Sequence, residues 1–66
     1  MNIKVNGDNT AVNDDITIAG FIEARSINKD KVVIELNGEI VKKDRWADIK
    51  LKENDEVTAL VFVGGG

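Results

Sequence analysis

Glu56-Val57-Thr58-Ala59-Leu60-Val61-Phe62-Val63 is the stretch on which the fold turns. Val57, Ala59, Val61 and Val63 fall on one side of an extended chain, and Thr58, Leu60 and Phe62 fall on the other, because successive strand residues point to opposite faces. A strand apolar on both sides belongs in the middle of a sheet, where one face meets a covering layer and the other stays partly open. Working outward, the remaining elements must flank this strand.

At the start of the chain, Met1, Ile3 and Val5 alternate with Asn2, Lys4 and Asn6, the period of a half-buried strand. Asn6-Gly7-Asp8 accepts positive φ and suits a tight hairpin turn, so Thr10-Ala11-Val12 returns as a second strand. Val32, Ile34 and Leu36 alternate with Val33 and Glu35. Asn37-Gly38 is a strong two-residue hairpin signal and leads into Glu39-Ile40-Val41.

Between the hairpins, Thr17 can cap a helix, and the carboxylates of Asp14 and Asp15 favour its positive end. Ile18, Phe21 and Ile22 form the apolar stripe at i, i+3 and i+4. Gly20 costs roughly 1 kcal/mol against alanine inside a helix; close approach to the sheet and an incidental glycine are both open readings. Ser26-Ile27-Asn28 should end the helix, with Asn28 suited to the left-handed conformation. Residues 42–55 are polar and irregular, with Trp46, Ala47, Ile49 and Leu51 as apolar anchors, and predict a loop with one helical turn.

The order strand, strand, helix, strand, strand, strand, with one helix to cover one face of the sheet, is a β-grasp plan. The expected class is α+β: a ubiquitin-like β-grasp with a mixed sheet of 4–5 strands and one main helix on one face. A chain of 66 residues makes one domain, since it buries only about 60% of its unfolded surface and has no core to divide. The expected division is a β-grasp domain over 1–63 and a flexible Gly tail over 64–66, disordered in the free protein because glycine loses the most entropy on being fixed.

Composition narrows the function. There is no Cys, His or Tyr, so the usual nucleophile and base pairs are missing and a self-contained enzyme is not expected. Net charge is −3 with basic residues scattered, which argues against nucleic-acid binding. No apolar run suits a signal peptide or a membrane span, and a cytoplasmic protein, monomeric when free, is expected. Asp14-Asp15, and Asp44 with Asp48, read as helix-terminus and solvated-loop residues; nothing completes a coordination sphere, and no metal is expected.

The chemistry therefore falls on Gly64-Gly65-Gly66. Three extended glycines span about 10 Å and, lacking Cβ atoms, can thread a channel too narrow for other residues. Such an arm delivers the carboxyl group of Gly66 into another protein's active site. A carboxylate is a poor electrophile and needs conversion to a mixed anhydride, for which adenylation by ATP is the ordinary route; the partner, not this chain, binds the ATP. The activated carbon accepts sulfur to give a thiocarboxylate or an amine to give an isopeptide bond, and the residues alone do not choose. Leu60 and Phe62, with Val63, Gly64 and Gly65, are the candidate partner-binding residues, since exposed apolar patches mark partner surfaces. The competing arrangement folds loop 42–55 over Leu60 and Phe62. Trp46 reads as a packing anchor with one polar edge.

In combination, Ile3-Lys4-Val5-Asn6-Gly7, Glu35-Leu36-Asn37-Gly38-Glu39-Ile40-Val41, Trp46-Ala47 and Phe62-Val63-Gly64-Gly65-Gly66 make a chain that resembles the ThiS family of sulfur carrier proteins along essentially all its length. The resemblance implies a thiocarboxylate on Gly66, formed after adenylation by a ThiF-like enzyme, and sulfur transfer to a ThiG-like thiazole synthase in thiamine biosynthesis. Gly65 and Gly66 match the family's terminal pair. Asn54 stands before Asp55 where such proteins often have glycine, and Asn can hold the same turn; Gly20 lies in a helix usually richer in leucine. A MoaD-like carrier for molybdopterin or another sulfurated metabolite, a ubiquitin-like protein modifier, and an interaction module with an inert tail are the alternatives.

Overall fold

The computed structural model describes residues 1–63. The elements are β1 (Asn2–Val5), β2 (Asp8–Ala11), α1 (Ile18–Ala24), β3 (Val32–Leu36), β4 (Glu39–Val41), a 3₁₀ turn over Lys43–Arg45, and β5 (Glu56–Val61). They form one five-stranded sheet in the order β2-β1-β5-β3-β4, so the doubly apolar strand is central. β5 runs parallel to β1 and antiparallel to β3, and both hairpins are antiparallel. The mixed α+β architecture is that of a β-grasp fold.

Both hairpin turns follow their dipeptides. Asn6 and Gly7 have φ of 51° and 87°, and Asn37 and Gly38 have 52° and 90°. Positive φ at both central residues marks the turn whose twist matches the flanking strands. Asp8 lies within β2, paired with Val5, so the first turn is two residues long and not three.

One core lies between the sheet and α1. Ile3 and Val5 from β1, Ile18, Phe21 and Ile22 from α1, Val32 and Ile34 from β3, and Val57 from β5 are all buried. From the loop, Trp46 and Leu51 join them; Ile49 is half-buried and Ala47 exposed, so Ala47 is no anchor. Trp46 places its ring in the core and donates from Nε1 to the Val41 carbonyl at 3.0 Å, the satisfied polar edge that a buried indole needs. Among the described residues no polar or charged side chain is buried. Apolar packing is the main support of a domain without cross-links.

The start of α1 departs in part from expectation. Thr17 is the N-cap, its Oγ1 accepting from the Gly20 amide at 3.0 Å. The other free amides are taken by the loop: Ile18 donates to the Ile49 carbonyl at 3.0 Å and Ala19 to the Trp46 carbonyl at 3.1 Å. These bonds supply partners that helix N-termini otherwise lack. The first turn contains no acidic residue. Asp14 instead reaches the amino group of Met1 at 3.1 Å, and Asp15 adopts φ 65° in the approach to the helix.

Gly20 does not approach the sheet. A Cβ there would sit 3.3 Å from Ile16 Cγ1 and 3.3 Å from Thr17 Oγ1, so the crowding lies at the cap. At the other end, Ser26 takes the left-handed conformation expected of Asn28, with φ 56°. Its amide donates to Glu23 O at 3.1 Å and the Ile27 amide to Ile22 O at 3.0 Å. This bond pair is the Schellman motif, which returns Ile27 toward Ile22 and the core.

A side chain in this conformation carries a Cβ cost of about 1–2 kcal/mol, against which glycine gives back roughly 0.5–1 kcal/mol in unfolded-state entropy. Ser26→Gly should therefore raise the thermal midpoint by about 3–6 °C, read by circular dichroism; an unchanged or lower midpoint removes Ser26 as a site of strain.

Candidate functional site

The exit of β5 from the sheet sets up the site. On its helix-facing side burial fades along the strand, from Val57 at 2% exposed through half-buried Ala59 to Val61 at 47% and Val63 at 86%. The helix and loop cover only the first half of β5, so the strand carries the chain out of the core. The last described backbone bond along this path runs from the Phe62 amide to the Lys31 carbonyl at 2.7 Å. Of the candidate site residues, Gly64, Gly65 and Gly66 lie outside the described residues, as does the expectation that the tail is disordered. Leu60, Phe62 and Val63 lie immediately before them.

The opposite face of the sheet bears an apolar patch. Leu60 is 49% and Phe62 61% exposed. Loop 42–55 packs on the helix side through Trp46, Ile49 and Leu51 and leaves them open, contrary to the competing arrangement. Leu60 pairs with Val33 across the β3–β5 ladder, and side chains directly opposite each other share a face. Glu35 pairs with both Thr58 and Ile40, which brings Ile40, 69% exposed, onto the same face.

Two contributors, Val33 and Ile40, escape a reading of the sequence by segments. Each sits in a strand whose other residues account for its pattern. The signal was available in the register: once β5 is central and β3 its neighbour, every second residue of β3 and β4 must share the face of Leu60. Val63 lies past the end of β5 and is 86% exposed.

Electrostatics is quiet here. The Lys43 ammonium, hydrogen-bonded to Asp30 at 2.6 Å, holds that carboxyl below its usual range by the bond and then by its charge, with Lys29 adding a smaller pull. Both groups are exposed and distant in sequence from β5. Among the described residues no cluster of His, Cys, Asp or Glu is arranged to hold a metal ion. Nor is any helix among them long and apolar enough to cross a membrane.

The ThiS family model matches residues 2–66. The chain belongs to the ThiS family. Its relatives include the sulfur carrier protein ThiS of Bacillus subtilis, 32% identical over 50 residues that make up 76% of each chain. A crystal structure of the thiamine biosynthesis protein ThiS from Geobacter metallireducens superposes with a TM-score of 0.86 at 30% identity, covering 100% of both chains. The ThiS-like sequence also occurs inside a larger protein: a thiazole synthase of Paramagnetospirillum magneticum is 27% identical over all 66 residues. The chain spans only 20% of that synthase's length.

Proposed function

We propose that this ThiS-family chain is a sulfur carrier in thiamine biosynthesis and is not itself an enzyme. The carboxylate of Gly66 attacks the α-phosphorus of ATP in a ThiF-like enzyme, releasing pyrophosphate and leaving an acyl-adenylate. A sulfur nucleophile then displaces AMP from the acyl carbon. The resulting thiocarboxylate keeps sulfur nucleophilic in a chain without a thiol and donates it to a ThiG-like thiazole synthase. ATP belongs to the activating enzyme, and the reaction is set in the cytoplasm. The open face with Leu60, Phe62, Val33 and Ile40 docks the partners.

The observation that carries this reading is the path of β5: a central strand leaves the core with steadily fading burial and runs directly into Gly64-Gly65-Gly66. The sheet thereby fixes where the glycine arm begins. The match of ThiS-like sequence to part of a thiazole synthase supports that synthase class as the acceptor, since one chain then holds donor and acceptor together.

Incubation with ATP, a ThiF-like enzyme and a sulfide source, followed by intact mass measurement, tests the proposal. The chain should gain the mass difference between one sulfur and one oxygen atom, located on Gly66 by fragmentation. Conjugation to lysines of other proteins, or no gain at all, overturns it.

Deleting Gly66 draws the carboxyl back by about 3.5 Å. Because misplacement of about 1 Å can cost on the order of 100-fold in rate, the truncated chain should lose at least that much thiocarboxylation. Its thermal midpoint should stay unchanged, since no core residue is touched. Full activity after truncation would show that the end of the arm is not what the activating enzyme reads.

A further inference from the structure

Each Asn-Gly turn does something beyond turning. At the first, the Asn6 amide N–H donates to the Val57 carbonyl at 2.9 Å, the last backbone bond from β1 to β5. The chain then turns away toward β2. The Asn6 side chain goes on where the backbone leaves off: its Oδ1 accepts from the Ala59 amide at 2.8 Å and its Nδ2 donates to the Ala59 carbonyl at 3.2 Å. A carboxamide has the donor and acceptor of a peptide unit. Here it supplies one further rung of the ladder.

The alternation along β5 shows why that rung matters. Asp55 and Val57 offer their carbonyls to β1, while Glu56 and Phe62 bond to Asn37 and Lys31 on the β3 side. Ala59 has the parity of Asp55 and Val57, so its N–H and C=O face the β1 side, where β1 has already ended. Asn6 meets them. Ala59 is thus held from the β1 flank by a side chain, and beyond it the described contacts that hold the strand come from β3. The second turn repeats the device at the strand's entry, where Asn37 Oδ1 accepts from the Glu56 amide at 2.9 Å and Nδ2 donates to Asp55 Oδ1 at 3.1 Å.

We infer that Asn6 is a positioning residue for the C-terminal arm: its carboxamide stands in for a missing β1 residue and fixes the point on β5 from which the arm and the Leu60–Phe62 patch are presented. The functional half of this inference rests on the sulfur-carrier reading; the structural half does not. Asn6 acts through Ala59 and touches no reacting atom. It sets direction at the base of the arm, so its loss should weaken productive docking and leave the chemistry of the docked complex alone.

The test compares Asn6→Gly, Asn6→Asp and Asn37→Gly with the parent chain. Glycine keeps the positive φ of the turn while deleting the carboxamide, and aspartate keeps the acceptor for the Ala59 amide while losing the donor for its carbonyl. Amide hydrogen exchange of Ala59 should quicken by about 5–10-fold in Asn6→Gly, less in Asn6→Asp, with Leu60, on the β3 edge, unmoved. With a ThiF-like enzyme and ATP, the KM for Asn6→Gly should rise by about 3–10-fold at unchanged kcat, the size of one or two lost hydrogen bonds. Asn37→Gly, the same chemistry at the far end of β5, should leave KM alone. Ala59 exchange at the parent rate, or a KM that rises equally for Asn37→Gly, overturns the inference. A parent chain that forms no thiocarboxylate defeats the carrier reading and with it the arm-positioning role, while exchange at Ala59 still decides whether the Asn6 rung exists.

Discussion

Phe21→Ala should leave the chain largely unfolded in dilute buffer. Phe21 lies on the inner face of α1 at 1% exposed, packed among the other core residues between helix and sheet, and truncating such a ring costs about 3–5 kcal/mol. A core of this size without disulfides or a metal rarely supplies more than about 3–5 kcal/mol in total. The loss therefore matches the whole reserve. Phe62, 61% exposed, is the internal comparison: Phe62→Ala should shift stability by no more than about 0.5 kcal/mol, as for other surface substitutions. Far-UV circular dichroism and urea titration of the two variants check both statements. A folded Phe21→Ala chain with a urea midpoint near that of the parent would mean that the core is not where the stability lies.

That contrast also shows how far the sequence speaks for itself. Periodicity separates the two phenylalanines: Phe21 shares a helical stripe with Ile18 and Ile22, whereas Phe62 sits opposite Val61 and Val63 on a strand. The two-sided apolar pattern of residues 57–63 places β5 at the centre of the sheet, and Asn6-Gly7 and Asn37-Gly38 fix both hairpins. The central place of β5, the helix and the two hairpins follow from patterns of this short range, whereas the full strand order and the exposure of Leu60 and Phe62, for which cover by loop 42–55 was the alternative, are settled by the structure.

What escapes is decided by long-range hydrogen bonds. The amides that begin α1 find carbonyls from Trp46 and Ile49, so Asp14 is not needed there and joins the amino terminus instead. Ser26, and not Asn28, ends the helix, because the hydrophobic return of Ile27 onto Ile22 sets where the left-handed residue must fall; residue preference is weaker than that packing. The Asn6 carboxamide looks like ordinary turn chemistry until β5 is laid beside β1. Its second role depends on a residue 53 positions away, and no local pattern encodes that.

On the proposed carrier role, Phe62→Asp should raise the KM of the chain toward a ThiF-like enzyme by about 30-fold or more, with the fold intact. Leu60 and Phe62, 49% and 61% exposed, stand on the open face of the sheet, with Ile40 at 69% on the same face, and exposed apolar patches mark partner surfaces. Truncation of a central aromatic anchor typically costs about 2 kcal/mol or more, and a carboxylate in its place adds desolvation against an apolar partner. Stability should change by no more than about 0.5 kcal/mol, as for other surface substitutions, because Phe62 is 61% exposed and lies outside the core. Ile40→Asp extends the measurement to the far edge of the patch, two strands away from the arm in the order β5-β3-β4. If the enzyme covers the whole face, its KM rises as well; if it grips only the base of the arm, Phe62→Asp acts alone. An unchanged KM for Phe62→Asp would move docking off this face, and recognition would then have to come from the glycine arm or from the helix side of the domain.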